Sequence, residues 1–250
     1  MKLGIMQPYY FPYLGHFALI AHCDHWVVFD VSQFTHKSWM TRNRILHPRV
    51  GWNYVSVPLA NGSIAIRTSE ARILSFSHLA QQLTGKLAHY RRRAPFWRDV
   101  ERLIGEVFSQ STDSLVALNI RALAVVCRYL DIPFKPLVAS TSLTRLPAVD
   151  YAGGWAPAIC ERLGASEYLN PIGGRAIFRE ADFADIGIAL KFIDFKPIRY
   201  ATEPWHFEEN LSILDVMMWN SPSAIQQAIE TNTRVIDLHN VEARPSDQNA

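Results

Sequence analysis

An α/β fold, with a parallel sheet flanked by helices and a small antiparallel flap, is what this sequence predicts, and three observations carry the prediction. Lys2–Asp30 contains in turn a strand, a loop, a short amphipathic helix and a second strand. Trp26-Val27-Val28-Phe29 is a continuous β-favouring apolar run, the pattern of a strand buried on both faces. Further strand-like stretches at Pro133–Ser140, Glu167–Asn170 and Ala189–Phe195 fall between helical ones.

Lys2–Met6 carries apolar Leu3, Ile5 and Met6, and Gln7-Pro8 ends it because proline has no ladder donor. Pro12 and Gly15 bracket a turn, and Leu14, Phe17, Leu19 and Ile20 follow at helical spacing, closed by Asp24. After Asp30 comes the polar, basic stretch Val31–Arg44, a loop of the kind that carries function. Trp52–Leu59 alternates as a strand does, and Asn61-Gly62 signals a hairpin into Ile64–Arg67, which gives the expected flap. Helices are expected over Ser77–Leu87, Asp99–Phe108 and Leu115–Leu130, the last capped by Asp113 or Ser114. Ala156–Leu163 is a short helix stopped by Gly164, and Phe178–Phe183 reads as another. Ile213–Trp219 is a helix behind Ser212, with Asp215 in a capping-box position, and a last helix runs through Ile229.

With 250 residues, 49% hydrophobic and 19% charged, the chain has an ordinary globular composition. One α/β domain over 1–239 is expected, with a nucleotide-binding-like first half over 1–140, a second half over 141–239 carrying a Gly-Gly loop and helices, and a loose tail over 240–250. The net charge of +2 and the lack of a recognisable motif argue against nucleic acid, despite Arg91-Arg92-Arg93. Cys23, Cys127 and Cys160 lie far apart without metal-site spacing and read as reduced core thiols. The sequence has no run long enough to span a bilayer and no secretory leader, so a cytoplasmic protein is expected. Serine-hydrolase elbows, Walker loops and His-Glu-x-x-His zinc helices are missing, and no protein-bound metal is expected.

A strand feeding a loop at a helix N-terminus aims backbone N–H groups and the positive dipole end at the strand's carboxyl edge, where anions bind. His16 lies on that first helical turn, where an imidazole can donate to a phosphate. Arg42 and Arg44 lie two apart, so in extended backbone both guanidinium groups face one side and can clamp phosphate or carboxylate. Asn170-Pro171-Ile172-Gly173-Gly174 forms a second candidate loop, in which paired glycines let backbone approach a ligand.

Pro12-Tyr13-Leu14-Gly15-His16-Phe17 partly resembles the His-x-Gly-His motif of nucleotidylyl transferases and pantothenate synthetases, with proline at the first histidine. That likeness implies a Rossmann-like sheet. Gln7-Pro8-Tyr9-Tyr10-Phe11-Pro12-Tyr13-Leu14-Gly15, Asp24, Asp30, Gln33-Phe34, Ser38-Trp39 and Arg42-Asn43-Arg44-Ile45 together resemble the WbqC-like family. Tyr168-Leu169, Gly173-Gly174, Phe207 and Leu211–Asp215 extend the resemblance thinly toward the end. His16 replaces a usual tyrosine, Val31-Ser32 a usual aspartate-valine pair, and Thr41 a common asparagine.

The family's genes lie in surface-polysaccharide (O-antigen) clusters, and glycine transfer onto an amino sugar has been suggested for some members. The resemblance therefore implies ATP-dependent acyl or aminoacyl transfer to an amino sugar through an adenylate, with magnesium carried by the nucleotide. A nucleotidylyltransferase and a non-catalytic nucleotide-sugar-binding or scaffold protein are the alternatives. His16, Arg42 and Arg44 are the catalytic candidates. Gln7, Pro8, Tyr9, Gly15, Asp30, Gln33, Lys37, Trp39, Asn43, Asn170, Gly173 and Gly174 are the candidates for binding substrate or nucleotide. The expected partners are small molecules: a nucleotide, an amino acid, and an amino sugar or nucleotide sugar.

Overall fold

β1 (Lys2–Met6) is the strand from which the sheet is wound in both directions. The computed structural model describes residues 1–143 and 145–237, so the expected tail over 240–250 lies outside the described residues. On one side β1 pairs with β2 (His25–Val28), which was expected one residue further on, over Trp26–Phe29. Two strands follow in chain order, β3 (Arg42–Leu46) and β4 (Trp52–Ser56), which form a separate antiparallel pair. Next come α2 (Leu79–Leu87), α3 (Trp97–Val107), α4 (Leu115–Tyr129) and β5 (Pro136–Val138), preceded in the chain by α1 (Leu14–Ala21) between β1 and β2. The second half supplies α5 (Ala139–Ser142), α6 (Trp155–Leu163), β6 (Glu167–Pro171), α7 (Glu180–Ala184), β7 (Ala189–Phe195), α8 (Ile213–Trp219), α9 (Pro222–Asn232) and β8 (Thr233–Asp237).

The order across the main sheet is β5-β2-β1-β6-β7-β8, every pair parallel except β7 with β8. Winding runs outward through β2 and β5, returns to the other side of β1, and continues through β6, β7 and β8. The reversal lies between β1 and β6, and open α/β sheets bind ligands outside the carboxyl ends of the strands at such a point.

Strand alternation splits the core into two layers. Leu3, Ile5, Val27, Tyr168, Leu190 and Phe192 face one layer, which contains Ala139 of α5, Ile159 of α6 and Phe183 of α7. Trp26, Val28, Leu169 and Ile193 face the other, larger layer, built on α1, α2, α3, α4, α8 and α9. Gly4 points into this larger layer, where a Cβ would come within 2.7 Å of both Cys23 Sγ and the Trp26 ring. A glycine in the central strand thus makes room for the indole of its neighbour.

Several expectations require correction. The flap's second strand is Arg42–Leu46, joined to β4 by a turn in which Gly51 takes φ +71° and His47 N–H donates to Gly51 O. Ile64–Arg67 instead runs beside Gln33-Phe34, with Phe34 N–H donating to Ile66 O. The Asn61 side chain explains this: it ties Glu70 O and Arg72 N–H instead of opening a two-residue hairpin. β8 carried no expectation, and Phe178 is extended, so helix α7 begins only at Glu180. Ser114 is the residue that caps α4, accepting from Ala117 N–H. Ser212 Oγ accepts from Leu214 N–H, while the Asp215 carboxylate turns away to two tyrosines, so no capping box forms there.

Gly4→Ala should lower unfolding free energy by about 1–3 kcal/mol through overpacking against Trp26. Gly105→Ala, whose Cβ would meet nothing within 4 Å in α3, should raise it by up to about 1 kcal/mol. Urea unfolding of both variants checks the pair, and equal effects would refute the packing of Trp26 over Gly4.

Candidate functional site at the carboxyl edge of the sheet

Two loops leave the strands that flank the reversal: Gln7–Tyr13 after β1, and the 3-10 segment Ile172–Ile177 after β6. The first cannot satisfy itself, because two prolines interrupt it and Phe11 sits at φ +41°. Its carbonyls are buried and need donors from elsewhere. Asn43 Nδ2 supplies Tyr10 O (3.1 Å) and Phe11 O (3.0 Å), while Asn119 Nδ2 of α4 supplies Pro8 O (2.7 Å) and Met40 O (2.9 Å). Ser212 Oγ donates to Phe11 O (2.7 Å), and Ile213 N–H donates to Pro12 O (2.8 Å). Tyr10 N–H in turn donates to Trp39 O at 2.8 Å.

Polar side chains from four different strand ends collect along this edge. Gln7 Nε2 donates to Ser32 Oγ (3.0 Å), which lies 3.4 Å from Thr68 Oγ1. Asp30 is buried and takes both the Ser140 N–H (2.9 Å) and the Ser140 hydroxyl (2.5 Å). The Asp30 carboxylate thereby ties the end of β2 to the start of α5. Asn170 Nδ2 donates to the Tyr168 hydroxyl at 2.7 Å. Its Oδ1 lies 2.3 Å from where a Cβ of Gly174 would be, so Gly174 is small to admit that amide. Gly173 differs: a Cβ there meets nothing within 4 Å, and its exposed backbone borders open space.

His16 is on the first turn of α1, as expected, but faces inward and is 1% exposed. Its ring lies among Tyr9 (5.5 Å between centroids), Trp26 (5.3 Å) and Phe17 (6.3 Å), and neither ring nitrogen has a hydrogen-bond partner. Burial takes its pKa down to about 3, so the ring is neutral. The expected phosphate-facing imidazole is therefore an enclosed one. Gly15 serves the same packing, since a Cβ there would lie 2.4 Å from the Tyr13 ring, which folds back over the helix start.

Arg42 and Arg44 do share one face, and alternation places it opposite Asn43, which binds the loop. The Arg42 guanidinium lies 4.2 Å from the Tyr54 ring centre, and that of Arg44 lies 5.6 Å from Trp39 and 5.4 Å from Trp52. Arg44 also donates to Asn210 O at 3.2 Å. Neither arginine has a carboxylate partner among the described residues. The structure thus holds the loop that carries Gln7, Pro8 and Tyr9 on Asn43 and leaves the arginine pair on the opposite face of β3. Gln33 uses its amide on Ile64 O (2.7 Å), and Lys37 is exposed at φ +56°.

Sequence reasoning missed Asn119, Ser32 and Thr68, because an Asn inside an apolar helix and isolated hydroxyls carry no local signal. It also missed Tyr90–Asp215–Tyr200. The buried Asp215 carboxylate accepts from Tyr90 (2.5 Å) and Tyr200 (2.6 Å), and the Tyr90 hydroxyl accepts from Leu46 N–H (2.9 Å), tying α8 to the hairpin. Burial raises the Asp215 pKa to about 6 against the lowering effect of those hydrogen bonds. Asp24 accepts from Lys2 N–H at the opposite, amino edge of the sheet. Among the described residues no group of three His, Cys, Asp or Glu side chains is placed to hold a metal, and no helix is long and apolar enough to cross a membrane.

A model of the WbqC-like protein family matches residues 7–227. The chain is 27% identical over 221 residues to an uncharacterized protein of Mycobacterium tuberculosis, a match that covers 86% of this chain and 92% of that one. No solved structure matches it.

The enclosure of His16 has a consequence for stability against pH. Below about pH 6.5 the unfolded chain takes a proton on this residue that the folded chain refuses until about pH 3. Its contribution is therefore intact above that window and lost as pH falls through it, with a limiting slope of about 1.4 kcal/mol per pH unit. His16→Leu should leave the slope of other groups in place and gain on the wild type progressively from pH 6.5 down to pH 4. Urea titrations at a series of pH values measure this, and a constant difference would show that the ring is not held neutral.

Proposed function

The chain belongs to the WbqC-like protein family, and from that premise we propose that it is a nucleotide-using transferase or amide-forming ligase of surface-polysaccharide assembly. In this reading a carboxylate displaces pyrophosphate from ATP to form an acyl adenylate, and the amine of an amino sugar then attacks the acyl carbon, loses a proton and displaces AMP to give an amide. The observation that carries it is the strand order, in which the Gln7–Tyr13 loop and the Ile172–Ile177 segment follow adjacent parallel strands, β1 and β6, at the reversal.

Gln7 and Ser32, beyond the ends of β1 and β2, and Asn170, Gly173 and Gly174, at and beyond the end of β6, are the groups this reading assigns to the nucleotide. The open backbone at Gly173 suits close approach of a phosphate or ribose. His16 acts from beneath, as a neutral ring supporting Tyr9, and moves no proton itself. Arg42 and Arg44, on the face of β3 opposite Asn43, serve an anionic part of the acceptor and not the pyrophosphate. Magnesium enters on the triphosphate. Fold analogy alone does not select the chemistry, so the reaction has to be read directly.

Calorimetric titration with ATP should give one saturable site; an amino acid alone should release at most about one equivalent of pyrophosphate, and continued release should need the amino sugar as well. Gly173→Leu, placed in open space, should weaken ATP by about tenfold or more without lowering Tm. ATP binding without pyrophosphate release would make the protein a binding module. Failure to bind any nucleoside triphosphate would reject the proposal.

A further inference from the structure

β4 has a strand neighbour on one side only. Val57 N–H donates to Thr41 O (2.7 Å) and His47 N–H to Gly51 O (2.8 Å), so ladder bonds fall on the odd-numbered pairs of the hairpin. Alternation then turns the backbone N–H and C=O groups of Trp52, Tyr54 and Ser56 outward, away from β3. Beyond this free edge stands α2, and between them is a cleft of about 420 Å³ lined by Tyr10, Val55, Ser56, Gln82, Leu83, Gly85 and Lys86. That volume falls within the roughly 300–1,000 Å³ of small-molecule sites.

The lining is divided by chemistry. Tyr10, Val55 and Leu83 are buried and form an apolar floor, while Ser56, Gln82, Gly85 and Lys86 are exposed at the rim. Gln82, Gly85 and Lys86 are spaced three and four apart, so α2 offers them on one face. Gly85 is inside the helix, where glycine is less favourable than alanine, yet a Cβ there would meet nothing within 4 Å. Packing does not explain the glycine, and a larger side chain there would project at the rim of the cleft. Arg42 is directly opposite Ser56 across the hairpin and lies over Tyr54. Among the described residues neither Arg42 nor Lys86 has a carboxylate partner, so Lys86 at the rim and Arg42 on the strand paired with β4 both carry uncompensated positive charge.

We propose that this cleft is a binding site for an anionic hexose, with Lys86 and Arg42 meeting its phosphate or carboxylate, Gln82 and the Ser56 hydroxyl and amide meeting its hydroxyls, and Tyr10 and Leu83 meeting the ring's apolar face. Phosphate or carboxylate on a sugar presents one chemistry here: a compact anion beside a row of hydroxyls. The assignment stands on the cleft itself and does not require the nucleotide chemistry proposed above. Tyr10 links the two sites, since its ring lines the cleft while its backbone is held within the Gln7–Tyr13 loop by Trp39 and Asn43.

Calorimetry with glucose 1-phosphate, glucuronate, glucose and inorganic phosphate, without nucleotide, tests the proposal. One or both anionic sugars should saturate a single site, with glucose and inorganic phosphate each weaker by about tenfold or more. Lys86→Ala and Arg42→Ala should each weaken the sugar by about tenfold, and Gly85→Leu should abolish binding with Tm at or above that of the wild type. Gly105→Ala, a helix glycine elsewhere, should bind as the wild type does. Lys86→Glu, at an exposed position, should abolish binding without any demand on packing. Binding of neither anionic sugar, equal binding of glucose, or undiminished binding in Gly85→Leu and Lys86→Glu would overturn the proposal. ATP affinity unchanged in Gly85→Leu would separate this outcome from the fate of the nucleotide reading.

Discussion

Buried carbonyl oxygens that the chain cannot satisfy locally are the constraint on which the rest of this structure depends. Between Pro8 and Pro12 the backbone leaves the central strand and turns sharply into α1, without a ladder or a helix to absorb its acceptors. An unmade hydrogen bond in such a place costs on the order of 1–3 kcal/mol for each group. Two asparagines remove most of that cost, each with one side-chain amide reaching two carbonyls. Asn43 is on β3 and Asn119 is on α4, so satisfying the loop draws the hairpin and the longest helix onto the carboxyl edge of the sheet.

Other features follow from that convergence. Because Asn43 must face the loop, strand alternation sends Arg42 and Arg44 to the opposite side, where they stack on Tyr54, Trp52 and Trp39. Because the hairpin is pinned at its inner edge through Arg44 O to Ser212 N–H and Leu46 N–H to Tyr90, the outer edge of β4 is the one left open toward α2. The buried Tyr90–Asp215–Tyr200 group belongs to the same system, joining α8 to β3. Neutral and enclosed, His16 fills the space under Tyr9 and above Trp26, and Gly4 allows that indole to lie flat against the central strand.

Legibility differed by the kind of signal. β1, α1, β2, β7, α4 and α8 were readable because apolar periodicity and their stop residues are local properties. β3 was hidden since Arg-Asn-Arg-Ile-Leu shows its outward face as charge and its inward face as an amide, so it read as a loop with the right residues in the wrong element. The flap was expected from the right strand, β4, with the wrong partner: Asn61-Gly62 carries a turn signal, but the Asn61 side chain is used across to Glu70 and Arg72. Asp215 occupies a capping position in sequence and a buried tyrosine pair in space, a choice that depends on helices more than a hundred residues apart.

The sequence alone therefore determined the fold class, the position of the central strand–loop–helix, and the family, because these rest on local periodicity and on a dense run of residues near the start. Tertiary structure decided which side chains face which site. Whether an imidazole looks out at an anion or in at a tryptophan depends on the helix's rotation about its axis, and that is set by packing against β6, β7 and α9. Whether two arginines close over a loop or turn from it depends on the single residue between them, and Asn43 is held by carbonyls more than thirty positions earlier in the chain.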